Sequence, residues 1–368
     1  MSLRFEPTIN AAWKKIDNIN PKQYANTRNY LDGAVTYLSP YISRGVISTK
    51  QVVERLLQNG HKLAHMEVLL KELAWRDYFQ RVAQHKNLQF DIKQRQGKLN
   101  NHQIPEAIVQ ANTGIEAIDT AILNLYADGY MHNHLRMYTA SIVCNIAQSH
   151  WKMPAQWMYY HLLDGDFASN ICSWQWVAGA NSSKLYFANQ ENINTYTNSN
   201  QQGTFLDCSY EDLPDLNVPK ALMPLLNIDY QTVLPPTDVL QINPNLPTLV
   251  YNYYNLDPNW HATQDANRIL IIEPSFFQKF PVAPHCMAFM LALAKQIPNM
   301  QVHLGTFQSV LNQTPAPNIF FKEHPLNIGY QGIQEPRDWM VPQVSTYLPS
   351  FFAYWKKMSK HLYANYTS

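Results

Sequence analysis

Residues 164–176 read DGDFASNICSWQW. Two acids flank a glycine, an Asn and a Cys follow, and two Trp stand two residues apart. Acids and large aromatics crowd in this way where a flat, polar object lies against them, or where they pack a core. On a helix starting near Asp166, Asn170 lies one turn on and Trp174 one turn beyond. One helix face then presents a carboxylate, an amide and an indole in a row. An amide both donates and accepts, so Asn170 can face a ligand atom whose protonation changes. A redox cofactor requires such a neighbour.

Three upstream stretches extend the pattern. In YMHNHLRM (130–137), Asn133, Arg136 and Met137 fall on one helix face at i, i+3 and i+4. Arg136, if buried, needs an anion, and Asp164 and Asp166 are the anions nearby in sequence. In ELAWRDYF (72–79), Glu72, Trp75 and Arg76 share a face that suits stacking plus hydrogen bonding. An amphipathic helix with one ion pair fits the same residues. In TYLSPYISRGVIS (36–48), Thr36 and Ser39 precede a proline able to open a helix. Hydroxyls beside helix N-terminal N–H groups make a phosphate site, and an ordinary N-cap looks the same in sequence.

The totals are those of a globular chain: 368 residues, 46% hydrophobic, 15% charged, formal net charge +1. This balance excludes a disordered chain and carries no global nucleic-acid signal. Locally, Arg76 to Lys98 holds six Lys/Arg against two Asp. Such a run reads as a solvated face or as one wall of a phosphate groove. The four cysteines form no CxxC pair and no zinc spacing, so no metal site is expected. They read as free thiols in a reducing compartment. The N-terminus lacks a signal-peptide apolar run, and no apolar segment is long enough to span a bilayer. A cytoplasmic protein without membrane contact is expected.

Along the chain the pattern changes once. EVLLKELAWRDYFQRVAQH and GIEAIDTAILNLYADGYMHNHLRMYTASIVCNIAQSH read as helices, the second split near Asp128–Gly129. Residues 211–246 are rich in Pro, Asn and Asp and read as a linker. Beyond them TLVYNYY, RILIIEP, MQVHLGTF and NIFFKEHP read as strands and APHCMAFMLALAKQI as a helix, an α/β alternation. YLPSFFAYWKKMSKHLYANY reads as an amphipathic helix and tail. The expected domains are a helical one over 1–210, the linker, and a small α/β domain with a C-terminal helix over 247–368.

Together the stretches TYLSP, ELAWRDYF, GYMHNHLRM, SHWKMPAQW and DGDFASNICSWQWVAG resemble the FAD-binding helical domain of the DNA photolyase/cryptochrome family, in that family's order. The resemblance covers roughly residues 20–190 and implies a short form without the usual N-terminal antenna domain. It implies FAD as cofactor, with Tyr24, Thr36, Leu38 and Ser39 around its phosphates and ribityl chain. Asn133, Arg136, Asp164 and Asp166 would line the isoalloxazine and adenine, and Asn170 would face flavin N5. Arg28 would touch the DNA backbone. Glu72, Trp75, Met137 and Trp176 would meet a flipped-out cyclobutane pyrimidine dimer. Members repairing (6-4) lesions carry His where this chain has Met137. Trp174 and Trp151 match the first two members of the family's electron-transfer chain. The third falls near QRQGKLNNH (94–102), where no Trp stands.

The implied activity is light-driven repair of pyrimidine dimers in DNA by an electron from reduced FAD. The alternative is a cryptochrome-like blue-light photoreceptor with a protein partner. It is motivated by His134, which stands where relatives often carry an Arg for DNA phosphate, and which would make DNA affinity pH-dependent. The order of elements in the α/β part resembles the family's antenna domain, shortened and relocated. An unrelated appendage or an oligomerisation surface fits that part as well.

Overall fold

The computed structural model describes residues 3–237 and 239–366. Residues 1–2 and 367–368, at the outer ends of the expected domains, and Asp238 in the expected linker lie outside the described residues. The chain forms two units, and neither is one stretch of sequence. A helical unit holds residues 22–35 and 85–230. A mixed unit holds 3–21, 36–84 and 231–368. The helical run expected as one domain over 1–210 is therefore divided, its 36–84 segment belonging with the α/β part.

In the helical unit the helix Glu116–Asp128 ends where the sequence predicts, at Gly129. Gly129 is left-handed (φ 67°) and its N–H bonds Leu125 O, a C-cap that only glycine makes without strain. The chain then enters the helix Asn133–Ser141, capped by His132, whose side chain accepts from His134 N. This helix runs on into a π-helical turn, Ile142–Ile146, entirely buried. Such turns often mark functional segments. Helices Lys152–His161 and Phe167–Val177 complete the core of the unit. The stretch 211–246 contributes one two-residue strand, Leu225–Leu226, paired antiparallel with Ile104–Pro105.

The mixed unit is built on five parallel strands: Thr248–Tyr251, Asn267–Ile272, Met300–Leu304, Ile319–Lys322 and Ile333–Glu335. Their order across the sheet is third, second, first, fourth, fifth. The first two strands are buried at every residue, as their unbroken apolar runs require when both sheet faces are covered. The short fifth strand, IQE, is largely exposed and polar, so it carries no strand signal in the sequence. Val250, Ile269, Ile271, Ile319 and Phe321 pack with Phe307 and Val310 into one apolar cluster.

Chain order reverses beside the first strand, and in such sheets the crevice at the strand ends is the usual ligand position. Here it is a crevice of about 20 Å³ among Tyr253, Tyr254, Glu273, His324 and Tyr330. That is room for about one water. Tyr254 stacks on His324 at 4.2 Å and closes it.

The long helix Leu63–His85 belongs to this unit up to Gln84. The C-terminal helix Phe351–Tyr366 runs antiparallel along it, burying Phe351, Tyr354, Met358 and Leu362 at helical spacing. Lys71 lies over the Trp355 ring, while Tyr78, two turns further on, packs against Phe351 and Tyr354. Arg81, expected on a solvated basic face, is buried instead and lies 3.5 Å over the Trp339 ring. An aromatic face compensates part of the lost hydration. Among the described residues no helix is long and apolar enough to cross a membrane.

Candidate functional site

The DGD stretch is a tight corner. A Cβ on Gly165 would stand 3.0 Å from the carbonyl oxygens of Tyr159 and Leu162, so only glycine fits without a shift. The corner sends the two acids to different tasks. Asp166 caps the helix Phe167–Val177, accepting from Ser169 N at 2.7 Å. An acid there satisfies an open N–H and meets the positive end of the helix dipole. Asp164 takes Arg136: Arg136 Nη2 donates to both Asp164 oxygens at 3.0 Å, and its Nε donates to Met131 O at 2.7 Å. The Asp164 side chain is 4% exposed and that of Arg136 20%. Removing Asp164 would leave Arg136 as a largely buried charge without its carboxylate.

Asn170 lies one turn beyond Asp166 and is half-buried. Its Nδ2 donates to Ala155 O at 2.8 Å, which fixes the amide and leaves Oδ1 as the acceptor. Beside it Ser169 Oγ is buried without a hydrogen-bond partner. A buried hydroxyl without a partner calls for one supplied from elsewhere. Asn133 is exposed at the start of its helix, and Met137 is half-buried one turn on. Tyr24 and Arg28 stand in the same unit, with Arg28 Nη1 donating to Ala25 O at 3.0 Å.

The two indoles expected to carry electrons are buried: Trp174 is 2% exposed and Trp151 fully enclosed. Trp151 Nε1 donates to Asp91 Oδ1 at 2.6 Å, a short bond to an acid. The ring next to Trp151 is His150, at 5.2 Å, and His150 stacks on His102 at 4.8 Å. The stretch 94–102 thus places an imidazole where a third indole was sought. Trp176 is 37% exposed and leans on Tyr186 at 5.8 Å.

His134 differs from its expected behaviour. Its Nδ1 pairs with Asn29 O at 3.0 Å, and its ring packs on Tyr138 and Tyr196. Burial, together with the nearby Arg28 cation, pushes its pKa down despite the Asn29 bond. The ring is neutral at neutral pH and supplies no charge for a phosphate there.

The remaining expected residues belong to the mixed unit. Thr36 Oγ1 accepts from Leu38 N at 3.5 Å, and Leu38 is buried. Ser39 opens the short helix Ser39–Ser43. Between them Tyr37 is held left-handed (φ 52°), a conformation bulky residues avoid unless their surroundings impose it. Arg76 donates to Ser43 Oγ, tying this segment to the long helix. Glu72 and Trp75 lie half-buried on that helix. Trp75 is not a free platform: Phe351 stacks on it with ring centroids 3.7 Å apart and planes 10° from parallel. No local signal in the sequence pairs these two residues, because the contact is made between helices far apart in the chain.

A buried Arg–Asp pair, a capping Asp and a fixed Asn thus stand on one helical unit. Residues 69–218 match the FAD binding domain of DNA photolyase. The deoxyribodipyrimidine photo-lyase of Alkalihalophilus pseudofirmus is 30% identical over 189 residues, covering 49% of this chain and 38% of that protein. The deoxyribodipyrimidine photo-lyase of Vibrio cholerae is 34% identical over 150 residues, covering 38% of this chain and 32% of its own length. A solved cryptochrome from Synechocystis is 24% identical, with a TM-score of 0.47, over 53% of this chain and 44% of that one. The matched stretch thus spans about a third of the length of the curated relatives. Over residues 69–218 the chain is similar to the FAD binding domain of DNA photolyase, a domain whose cofactor is FAD. The orphaned Ser169 hydroxyl, the Asn170 acceptor and the paired Arg136 fit such a group.

Proposed function

We propose that this chain binds FAD and uses it to repair cyclobutane pyrimidine dimers in DNA under light. The observation that carries this reading is the Arg136–Asp164 pair beside the Asp166-capped helix, within a segment that matches a photolyase FAD-binding domain. When bound and reduced, FAD supplies the light-driven electron that opens the dimer. The protein's residues do the rest. Arg136 and Asp164 hold a fixed, balanced polar wall, and Asn170 presents its acceptor oxygen. Trp174 and Trp151 are buried indoles suited to passing an electron inward, with Asp91 stabilising the Trp151 N–H as positive charge develops. Exposed Trp176 offers a stacking surface for an unstacked base, whose extrusion is cheapest at a lesion. Trp75 would offer a second surface, and Glu72 a polar contact to a base edge. Four free thiols agree with a reducing, cytoplasmic setting.

The test is a repair assay, light against dark, on dimer-containing DNA with the flavin spectrum recorded. Loss of dimers in blue light alone is the expected result. Dimers that persist under light with reduced flavin bound would overturn the reading. A second reading, a blue-light photoreceptor acting on a protein partner, is favoured by one observation, the Phe351 ring covering Trp75. It predicts a light-induced flavin spectral change and a partner response without dimer loss.

A further inference from the structure

We infer that Asp91 takes the indole proton of Trp151 when that ring is oxidised, so that the electron route ends at its second indole as a neutral radical. The inference rests on the reading above, in which Trp174 and Trp151 pass an electron inward to a bound flavin.

Donor and acceptor are in place before any electron moves. Trp151 Nε1 stands 2.6 Å from Asp91 Oδ1, within reach of direct proton transfer. Gln96 fixes both ends of that bond. Its backbone N–H donates to Asp91 Oδ2 at 3.1 Å, and its Oε1 accepts from Trp151 N at 3.0 Å. Its Nε2 donates to Ser149 O at 2.8 Å, and the side chain is buried. No group has to be brought closer for the proton to cross.

The neighbours leave Asp91 as the base. His150 Nε2 lies 3.8 Å from Asp91 Oδ1, but His150 Nδ1 accepts from Lys152 N at 3.2 Å, which leaves the ring proton on Nε2. Burial pushes the pKa of this ring down, and the charges of His102 and Lys152 add to that against the pull of Asp91. The neutral imidazole therefore offers Asp91 a donor and cannot take the indole proton in its place. An imidazole is also harder to oxidise than an indole, so the His150–His102 stack does not carry the oxidation onward.

Charge decides the direction of transfer. Trp151 gives one electron to oxidised Trp174, whose own electron has gone to the photoexcited, oxidised flavin. The Trp151 Nε1–H bond then breaks and an O–H bond forms on Asp91 Oδ1. A cation and a carboxylate become two neutral groups. Trp151 is fully enclosed, where a cation is costly, and loss of the proton removes it. The Asp91 side chain is 20% exposed, so the carboxyl proton can pass to water. Return of the electron to Trp151 then needs a proton as well, which prolongs the separated state.

The test is flash photolysis of the full chain with oxidised FAD bound, followed by transient absorption and electron paramagnetic resonance. Three forms are compared: wild type, Asp91→Asn and Trp151→Phe. The Asn side chain keeps an acceptor oxygen for the indole N–H but cannot hold its proton. The wild type is expected to show a deprotonated indole radical that decays more slowly in heavy water, and Trp151→Phe is expected to lack it. Asp91→Asn is expected to show the protonated radical cation instead. Its lifetime should be about a hundredfold shorter, the low end of what a positioned proton acceptor contributes. A radical cation in the wild type overturns the inference. So does a deprotonated radical of unchanged lifetime in Asp91→Asn, or a wild-type signal that survives loss of Trp151. Should Asp91→Asn lose its flavin, the wild-type spectra in light and heavy water decide alone. The repair reading is tested apart, with chemically reduced flavin and dimer-containing DNA. Repair there alongside a radical cation on Trp151 sinks the inference and leaves the reading. Dimers that persist there sink the repair reading, and the radical spectra still decide Asp91.

Discussion

Trp176 and Trp75 have the same expected task and opposite surroundings. Trp176 ends the DGDFASNICSWQW helix in the helical unit and keeps over a third of its surface exposed. Trp75 sits mid-helix in the mixed unit, under a parallel phenyl ring from the end of the chain. The contrast extends to their neighbourhoods. In the helical unit Arg136 bonds Asp164, Asp166 caps its own helix, and Ser169 Oγ is buried without a hydrogen-bond partner. In the mixed unit the long helix is covered by segments far along the chain: Met340 N on Asp77, Leu348 O on Tyr78 and Phe351 on Trp75. In the helical unit a buried hydroxyl lacks a partner, whereas in the mixed unit the Trp75 ring is covered.

The largest expected effect tests whether the helical half depends on its ion pair. Asp164→Ala strands Arg136 in a largely buried place and should cost about 3–5 kcal/mol. Thermal denaturation would show it as a lower Tm, together with reduced flavin content after purification. If Asp164→Ala leaves both unchanged, the helical half is not organised around this pair.

Next in size, the two units should respond to acid with opposite sign. His132 is buried, and burial, with the charges of His134 and Arg136, lowers its pKa to about 4. It stays neutral in the folded protein, so its contribution is present above about 6.5 and is lost as pH falls toward 4. Asp77 is enclosed between Thr49 and Met340, and burial raises its pKa to about 6 despite those two hydrogen bonds. Here the folded state holds the proton more tightly. Its contribution is therefore present below the ordinary carboxylate value and is lost as pH rises toward 6. Each gap corresponds to on the order of 3 kcal/mol. His132→Asn keeps a capping side chain and should remove the loss on acidification. Asp77→Asn should remove the gain. Denaturant unfolding of both variants between pH 4 and 7 would separate the two slopes, and parallel slopes would break the comparison.

Smaller effects refine it. Asp166→Ala deletes one N-cap and should cost about 1 kcal/mol, read as a shift in the denaturation midpoint. Trp176→Ala should cost about 1 kcal/mol, because the residue is only 37% exposed and packs on Tyr186. Its affinity for dimer-containing DNA should also fall. If that affinity holds while stability drops, Trp176 is packing and not a platform.

Much of the local structure was legible. Gly129 at a helix end, Asp166 as a cap, and the buried strands TLVY and NRILII all follow from short-range rules. Capping, spacing and apolar runs act over a few residues, so they are written in adjacent letters. The packing of His134 against Asn29, Tyr138 and Tyr196 was not legible, because those partners come from other segments. The exposed strand Ile333–Glu335 went unseen, since pairing with a neighbour makes it a strand and its own composition does not.

By itself, then, the sequence determined the local elements: the DGD corner, the helix that carries Asn170 and Trp174, and a helical stretch similar to a photolyase FAD-binding domain. Only the tertiary structure decided what each of them faces. It assigned residues 36–84 to the unit of the parallel sheet, put an imidazole stack beyond Trp151 and laid Phe351 on Trp75. Helix and cap formation depend on local hydrogen bonds, whereas the covering of an aromatic face depends on which distant apolar stripe buries the most surface against it. That choice is made between whole elements, and no short stretch of sequence contains it.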